Sequence, residues 1–580
     1  MPTTFNLRTT LWIVLATALL WNYTTWVKEY VPPAPPPGSV ASTPSVPLDS
    51  VAPVVSAPAN GNAPAAELSS SKTAATTATL AAPSAEESAS AAGAPTVHVV
   101  TDVFDAVVSL AGGELKQVNL LAYPAEKNTP DIPVRLLNDD SPTAQFLLEG
   151  GLATPAGQTA PTPTHLTIYH ADTSELKLAP GQNEVTLPLT WSDAHGVTVI
   201  KRLVFKRGEY RIDVDYSVQN QSDASWSFVP YTQIVRYNQP VERSYFRPDS
   251  YAYKGPAFFD GQKFAKLDLS KNPKLDQTVR NGWLAATQHD FVAAIVPPAG
   301  SDYHFLLQTQ GNEFLLKAQG PVEQVAAGGK AEMQQTLFVG PKIQSVLNGV
   351  HPKLGLVADY GYLRIFATPL FWLLDHVHTL IGNWGWTIII VTMLIKLLFY
   401  PLAEASGKSM AKMKALGPRM TTLRETYKDD REKLNRATME LYQREKVNPL
   451  AGCLPMLIQI PVFLAFYWVL RDSVEMRQAP FMLWINDLSA RDPFFVLPAI
   501  MAGAMFLQYK INPQVGDPAQ QKIFAIMPLA MSATFAFFPA GLVLQDRLHR
   551  GTVEHQPRRR RRQPRLQDPL QGRLLPRFPG

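Results

Sequence analysis

Cysteine is almost missing. Cys453 is the only one in 580 residues, which excludes an internal disulfide framework and any Cys-rich zinc site. Charge is scarce too. Charged side chains make up 17% of the chain, where a soluble domain carries about 25%. His98, His165, His170, His195 and His289 are scattered without metal-like spacing, and Asp139-Asp140 reads as a turn rather than a paired acid and base. Neither inverted repeats nor paired charges inside apolar runs are visible, and a solute transporter predicts both. Apolar residues, by contrast, reach 46%. The mean hydropathy is nevertheless only -0.05, so a large water-facing part coexists with membrane-like segments. The net charge of +5 comes from the end of the chain, because residues 545–580 hold ten arginines against three acids.

The order of segments follows from pattern. Residues 1–30 contain an apolar run, Leu7 to Val27, long enough at ~1.5 Å per residue to cross a ~30 Å hydrocarbon core. Ala16-x-Ala18 has the form of a signal-peptide cleavage site but lies inside that run, so an uncleaved anchor is expected. Residues 31–95 are rich in Pro, Ala and Ser and read as an extended tether. Residues 96–345 alternate apolar and polar with a period of two, as in Tyr210, Ile212, Val214, Tyr216 and Val218 on one face and Arg211, Asp213 and Asp215 on the other. Val197–Phe205 is also strand-like, Lys206-Arg207-Gly208-Glu209 reads as the hairpin turn between them, and Val97–Ser109 is a further strand-like run. That pattern predicts an all-β sandwich lying outside the cytoplasm. Residues 346–383 carry an amphipathic helix with Leu363, Phe366, Leu370, Leu374 and Val377 on one face and Pro369 as a kink. Spans are expected at 384–402, 454–470, 494–509 and 523–538, with Gln459 and Pro461 interrupting the second of these. Between the first two lies a polar helical hairpin, 403–450, with eleven basic and seven acidic side chains. Its positive balance places it in the cytoplasm. Residues 471–493 form an external loop, 510–522 a short cytoplasmic one, and 539–580 a turn, the start of a further apolar run and the arginine-rich tail.

Several motifs in 361–544 carry a resemblance. They include Gly382-Asn383-Trp384-Gly385, Tyr400-Pro401-Leu402 and Ser409-Met410-Ala411-Lys412-Met413. Next come Glu445-Lys446-Val447-Asn448-Pro449-Leu450-Ala451-Gly452-Cys453-Leu454-Pro455 and Gln459-Ile460-Pro461. Trp484-Ile485-x-Asp487-Leu488-Ser489-Ala490 and Phe538-Pro539-Ala540-Gly541-Leu542-Val543-Leu544 follow. In that order and spacing the chain resembles the YidC family of membrane protein insertases, in its Gram-negative form. The resemblance implies a polytopic α-helical membrane protein, with an insertase helical core and cytoplasmic helical hairpin, plus a large periplasmic all-β sandwich. It implies a multi-pass protein of the inner membrane with a cytoplasmic N-terminus and residues 31–360 in the periplasm. The partners implied are nascent membrane proteins, the Sec translocon, the ribosome or signal recognition particle receptor, and the lipid bilayer. No cofactor, metal, enzymatic step or specific nucleic acid is implied.

The family's hydrophilic groove opens to the cytoplasm and to lipid and holds a positive charge. Lys396 matches that position, and Thr392, one helical turn earlier, matches another. A cation within a span costs about 2.5–3.5 kcal/mol on insertion scales and so needs water, a partner or a role. Snorkelling to the headgroups is the plain alternative for Lys396. Gln459 is a third candidate, with the alternative of bonding backbone freed by Pro461. On the hairpin, Lys408, Lys412 and Lys414 offer charge, and Met410 and Met413 offer adaptable apolar contact. Solvated, topology-setting charge is the plain alternative there. Two other functions stay open: a tethered periplasmic carbohydrate-binding or mutarotase-like protein, and a solute transporter. The family continues past Leu544 into a sixth span, whereas Gln545-Asp546-Arg547 stands here. The break in composition within a motif points to a tail read out of frame.

Overall fold

The computed structural model describes residues 91–544 except 92, 157, 159, 240–251, 359–362, 429, 446–453 and 512–517. The anchor expected over 1–30, most of the tether and the arginine-rich tail lie outside the described residues. Contacts divide the chain into two units, Met1–Asp359 with Asp472–Glu475, and Tyr360–Arg471 with Met476–Gly580.

The first unit is a sandwich of two mainly antiparallel sheets. The larger runs from edge to edge through Asp276–Arg280, Asp302–Gln310, Glu313–Gln319, Trp226–Tyr237, Phe146–Ala153, Glu114–Glu126, Phe104–Ser109, Thr96–Val100 and Glu175–Lys177. The last pair is parallel. The smaller runs through Phe264–Lys266, Gly255–Phe259, Trp283–Thr287, Phe291–Val296, Lys330–Pro341, Arg211–Asn220, Val197–Lys206 and Glu184–Ser192. The period-two pattern explains the layering. Ile212, Val214, Tyr216 and Val218 are all buried, and they meet Val199, Leu203 and Phe205 of the neighbouring strand in one core with Phe104, Leu115 and Leu148 of the other sheet. The apolar run expected as one strand over 97–109 is a hairpin, because residues 101–103 turn the chain. Thr101 Oγ1 accepts from the amides of Val103 and Phe104 there. Asp213, expected on the wet face, is buried. It is held by Arg211 at 2.7 Å and Lys206 at 3.2 Å, and it accepts from Thr336. Helix α1 (Gln344–Val350) follows the last strand.

The second unit is helical: α2 (Arg364–Ile381), α3 (Trp384–Leu398), α4 (Tyr400–Ala415), α5 (Gly417–Thr426), α6 (Arg431–Arg444), α7 (Leu454–Asp472), α8 (Val496–Ile511) and α9 (Pro518–Phe535). The junction between α2 and α3 is written in sequence. Gly382 ends α2 in the left-handed region at φ 70°, where glycine pays no Cβ penalty. Asn383 starts α3, its side chain accepting from the amide of Trp386 at 3.2 Å. The His378 and Trp384 rings stack at 3.8 Å across the corner.

The helix expected over 384–402 stops at Leu398. It bends by 59° into α4, and the two form the bent pair that together has the length and composition of a membrane span. Pro401 accounts for the break: it lacks the N–H that would bond the carbonyl four residues back, and its ring crowds that carbonyl. Among the described residues no single helix is by itself long and apolar enough to cross a membrane. Gln459 and Pro461, expected to interrupt a span, sit inside the continuous α7, and Pro369 sits inside α2. Buried side chains of α2, α3, α7 and α8 meet in one core that includes Leu374, Ile388, Phe466 and Met501. The apolar stripe of the hairpin, with Met420, Leu423 and Leu434, is only half-buried.

Candidate functional site

Two places combine polar groups with burial. One lies inside the sandwich, where Lys201 is buried. Its Nζ donates to the carbonyls of Gly112 at 2.6 Å, Gly150 at 3.1 Å and Gly113 at 3.4 Å. Burial lowers its pKa to about 7, opposed by the Glu114 and Glu149 carboxylates. Lys317, buried over the Tyr231 ring, is lowered to about 8 for the same reason. Gln233 donates to Glu149 at 2.6 Å, and His165 Nδ1 meets the Tyr231 hydroxyl at 2.7 Å. A cavity of about 10 Å³ touches Lys201, Glu149, Tyr216 and Thr232, the room of one water molecule. Gly112, at φ 61°, allows the close approach, since a Cβ there would lie 2.4 Å from His165 Cα. A histidine and a carboxylate 3.9 Å apart could do acid–base chemistry, but their side chains are 2% and 3% exposed. No sugar reaches them. The other scattered histidines sit beside single acids, His98 by Asp105, His170 by Asp172 and His195 by Asp193. No cluster of metal-ligating side chains occurs among the described residues.

The other place is the face of α3 that carries Thr392 and Lys396. Thr392 is 4% exposed, and its Oγ1 has no hydrogen-bond partner among the described residues. Thr387, equally inward, is satisfied by donating to the Asn383 carbonyl at 2.9 Å. An orphaned buried hydroxyl costs about 1–3 kcal/mol, a cost that Thr387 avoids. Lys396 follows one turn later, half-buried, in the last turn before the Pro401 break. Gln459 is half-buried on α7, whose Ala465 and Phe466 share the core with Ile388 and Val391 of α3. Ser532 on α9 is buried as well, 5% exposed, its hydroxyl 4.0 Å from Met505 Sδ. A lone serine inside an apolar run was the available signal.

On the hairpin, Lys408 is exposed and paired with Glu404 at 2.7 Å. Lys412 is exposed and Met413 half-buried. The side chains of Met410 and Lys414 lie outside the described residues.

The surface around the α3 face is apolar. Leu394, Leu397 and Leu398 on α3, Ile365 and Trp372 on α2, Ile458 and Leu464 on α7 and Phe506 on α8 are all exposed. Large apolar side chains are thus exposed on each of these helices.

Comparison with known proteins gives matches to both units. The family described as 60Kd inner membrane protein matches residues 376–545, and the family described as YidC periplasmic domain matches residues 96–373. A membrane protein insertase YidC of Thioalkalivibrio sulfidiphilus is 44% identical over 458 residues, covering 77% of this chain and 81% of the relative. One from Pseudomonas putida is 46% identical over 455 residues, covering 77% and 80%. Among solved structures, an active YidC insertase crystal structure with the first transmembrane domain resolved aligns with TM-score 0.35 at 18% identity, covering 79% of this chain and 92% of that one. A galactose mutarotase-like protein from Lactobacillus casei aligns over 42% of this chain and 99% of that one, at 11% identity and TM-score 0.28.

Proposed function

Because this chain belongs to the YidC family of membrane protein insertases, we propose that it inserts nascent membrane proteins by receiving their polar segments on the Thr392–Lys396 face of α3. The family gives the inner membrane as its location and nascent membrane proteins as its substrates. In the proposed topology the N-terminus is cytoplasmic and residues 31–360 are periplasmic. The spans are α3 with the start of α4, then α7, α8 and α9, and α4 to α6 form the cytoplasmic hairpin.

The observation that carries the groove is the Thr392 hydroxyl, buried and unpartnered one turn from a lysine in an otherwise apolar helix. A passing peptide supplies the partner that the fold withholds. Lys396 attracts acidic translocated segments and holds them while the apolar segment moves into lipid along the exposed Leu394 and Leu397. The family position is usually arginine. Lysine keeps the charge but replaces a planar five-donor fork with a point charge on a flexible stem, so attraction is retained and bidentate grip is lost. Gln459 adds an amide to the same bundle. Lys408, Lys412, Lys414, Met410 and Met413 on the hairpin are the proposed contacts for emerging substrate and for the ribosome or signal recognition particle receptor. Assistance by the Sec translocon belongs to the same proposal.

Reconstitution into proteoliposomes tests it. Lys396→Ala should slow insertion of substrates with acidic translocated segments by roughly tenfold, and Lys396→Glu by more, in line with the loss of a desolvated charge contact worth about 1.5–3 kcal/mol. Parent-level insertion of several such substrates by Lys396→Glu would remove the electrostatic role.

A further inference from the structure

Asp492 is an unusual carboxylate. It is 1% exposed, and its bonds come from neutral donors. Oδ2 accepts from the amide of Leu497 at 2.7 Å. Oδ1 accepts from the amide of Phe494 at 3.1 Å and from the Trp484 indole N–H at 3.0 Å. The Leu497 amide belongs to the first turn of α8, where the helix dipole favours an anion, and the Phe494 amide to the turn just before it. The indole belongs to the loop before it. One side chain therefore fastens the loop to the end of a helix.

That loop, residues 476–492, is bound at every other edge as well. Asp487 Oδ1 accepts from the amides of Gln478, Ser489 and Ala490 and folds the loop on itself. Asn383 Nδ2 at the start of α3 donates to the carbonyl of Phe481 at 3.2 Å. Gly385 lies so close to the Phe481 ring that a Cβ would stand 2.0 Å from it. The amide of Ala540 donates to the Ala490 carbonyl at 2.8 Å, and that of Gly541 to the Leu488 carbonyl at 3.0 Å. The start of α3, the end of α7, the start of α8 and the turn after α9 thus converge on one small loop. Ile388 of α3, fully buried, lies directly beneath it: a Cβ on Gly541 would sit 3.5 Å from Ile388 Cδ1 and 3.2 Å from the Leu488 carbonyl. Thr392 is the next turn of α3 below Ile388.

The geometry points to Asp492 as a positioning residue that keeps the insertase groove shut on its outer side, acting through Trp484 and the first turn of α8 to hold the loop down over Ile388. The proposal rests on the groove and topology proposed above. Burying a carboxylate among neutral donors is costly compared with leaving it in water. Its function is to make the loop's closed position specific: the donors are useful to it in one geometry only. Loss of the carboxylate leaves the indole, the Phe494 amide and the Leu497 amide of the first turn of α8 without their acceptor. The loop then opens a path from outside to the bundle interior, while the core below, built on Phe466, Met501 and Leu374, keeps its packing.

Thiol labelling from each side of the membrane tests this on the full chain with Cys453→Ser. Ile388→Cys reports on the loop and Thr392→Cys on the groove, with a membrane-impermeant maleimide as the probe. In the parent, Ile388→Cys should resist the reagent added outside. With Asp492→Ala its labelling should rise at least about tenfold, the population shift expected when one or two hydrogen bonds are lost. Asp492→Glu, which keeps the acceptor, should restore part of the protection. Trp484→Phe removes a single donor and should give a smaller rise. It carries the test if Asp492→Ala is degraded in the cell. A merely structural aspartate would lower protein abundance without changing the labelling of the surviving chains, and that result overturns the proposal. So does unchanged outside labelling in Trp484→Phe. The groove itself fails separately, if Thr392→Cys in the Asp492 parent is not reached by reagent added from the cytoplasmic side.

Discussion

The two units solve opposite surface problems with similar interiors. In the sandwich, large apolar side chains are hidden, and among its described residues only Leu121, Ile132, Ile168 and Val322 stand exposed. In the helical unit the same residue types are out on every long helix, from Ile365 and Leu380 to Leu529. Yet both have sealed cores, one around Phe305 and Trp283, the other around Phe466 and Ala465. The difference lies in the solvent each surface was selected for. Their polar interiors differ as well. Lys201 in the sandwich is fixed by three backbone carbonyls, and fixed partners leave it nothing to offer a substrate. Thr392 in the bundle has a hydroxyl that the fold leaves unengaged. Incomplete satisfaction is not confined to the bundle: the Tyr169 and Tyr216 hydroxyls and the Trp283 indole N–H of the sandwich are also buried with no hydrogen-bond partner among the described residues.

This contrast can be broken by substitution. The largest effect should be common to both units. Phe305→Ala and Phe466→Ala each delete a fully buried ring and should cost about 3–5 kcal/mol, read by denaturant or detergent unfolding. Equal costs would show that the cores are alike even where the surfaces are not. The surfaces separate next. Leu394→Arg, on the exposed face of α3, should cost about 2.5–3.5 kcal/mol in the proposed topology, which turns this face to lipid. Ile132→Arg, similarly exposed on the sandwich, should stay within about 0.5 kcal/mol. Matching small effects at both sites would take lipid away from the helical unit.

A pH series sharpens the comparison from the sandwich side. Lys201 has its folded pKa lowered from 10.5 to about 7. Between those values the unfolded chain binds a proton that the folded chain has released, so stability rises with pH. The benefit is complete above 10.5, shrinks as pH falls from 10.5 to 7, and is gone below 7. From pH 7 to 9 the sandwich should gain on the order of 2 kcal/mol from this group, following the ~1.4 kcal/mol per pH unit of a single proton. Hydrogen exchange at Val199 and Val214 in the full chain measures it, and Lys201→Met should flatten the slope. Lys317, also lowered, adds in the same direction. The smallest effect belongs to the hairpin. Lys408→Ala removes an exposed pair with Glu404 and should leave the melting temperature unchanged. Any loss of insertion in that variant then reports on contact rather than on folding.

How much of this was legible in the sequence depends on range. Period two announced Arg211–Asn220 and Val197–Lys206 with the turn between them, because a strand's pattern is local. The Gly382–Asn383 corner was visible as a motif for the same reason. What escaped was non-local. Asp213 reads as a surface residue until Arg211 and Lys206 are seen folded over it. Pro461 reads as an interruption, yet α7 runs through it. Pro401 does break its helix, and so brings the end of α3 nearer to Lys396 than the apolar run suggested. The four-residue spacing of Thr392 and Lys396 puts them on one helical face, while their place in a groove came from the family resemblance. The burial of Thr392 and the presence of Ser532 needed the packed bundle.

The bonds from Ala540 and Gly541 back to Ala490 and Leu488 also set a schedule. The two partners are about 50 residues apart, and a ribosome adds roughly 5–20 residues per second. For several seconds, then, every newly made copy has its loop without these two bonds. In the proposed topology, the outer seal is therefore completed by a segment made well after the loop it closes.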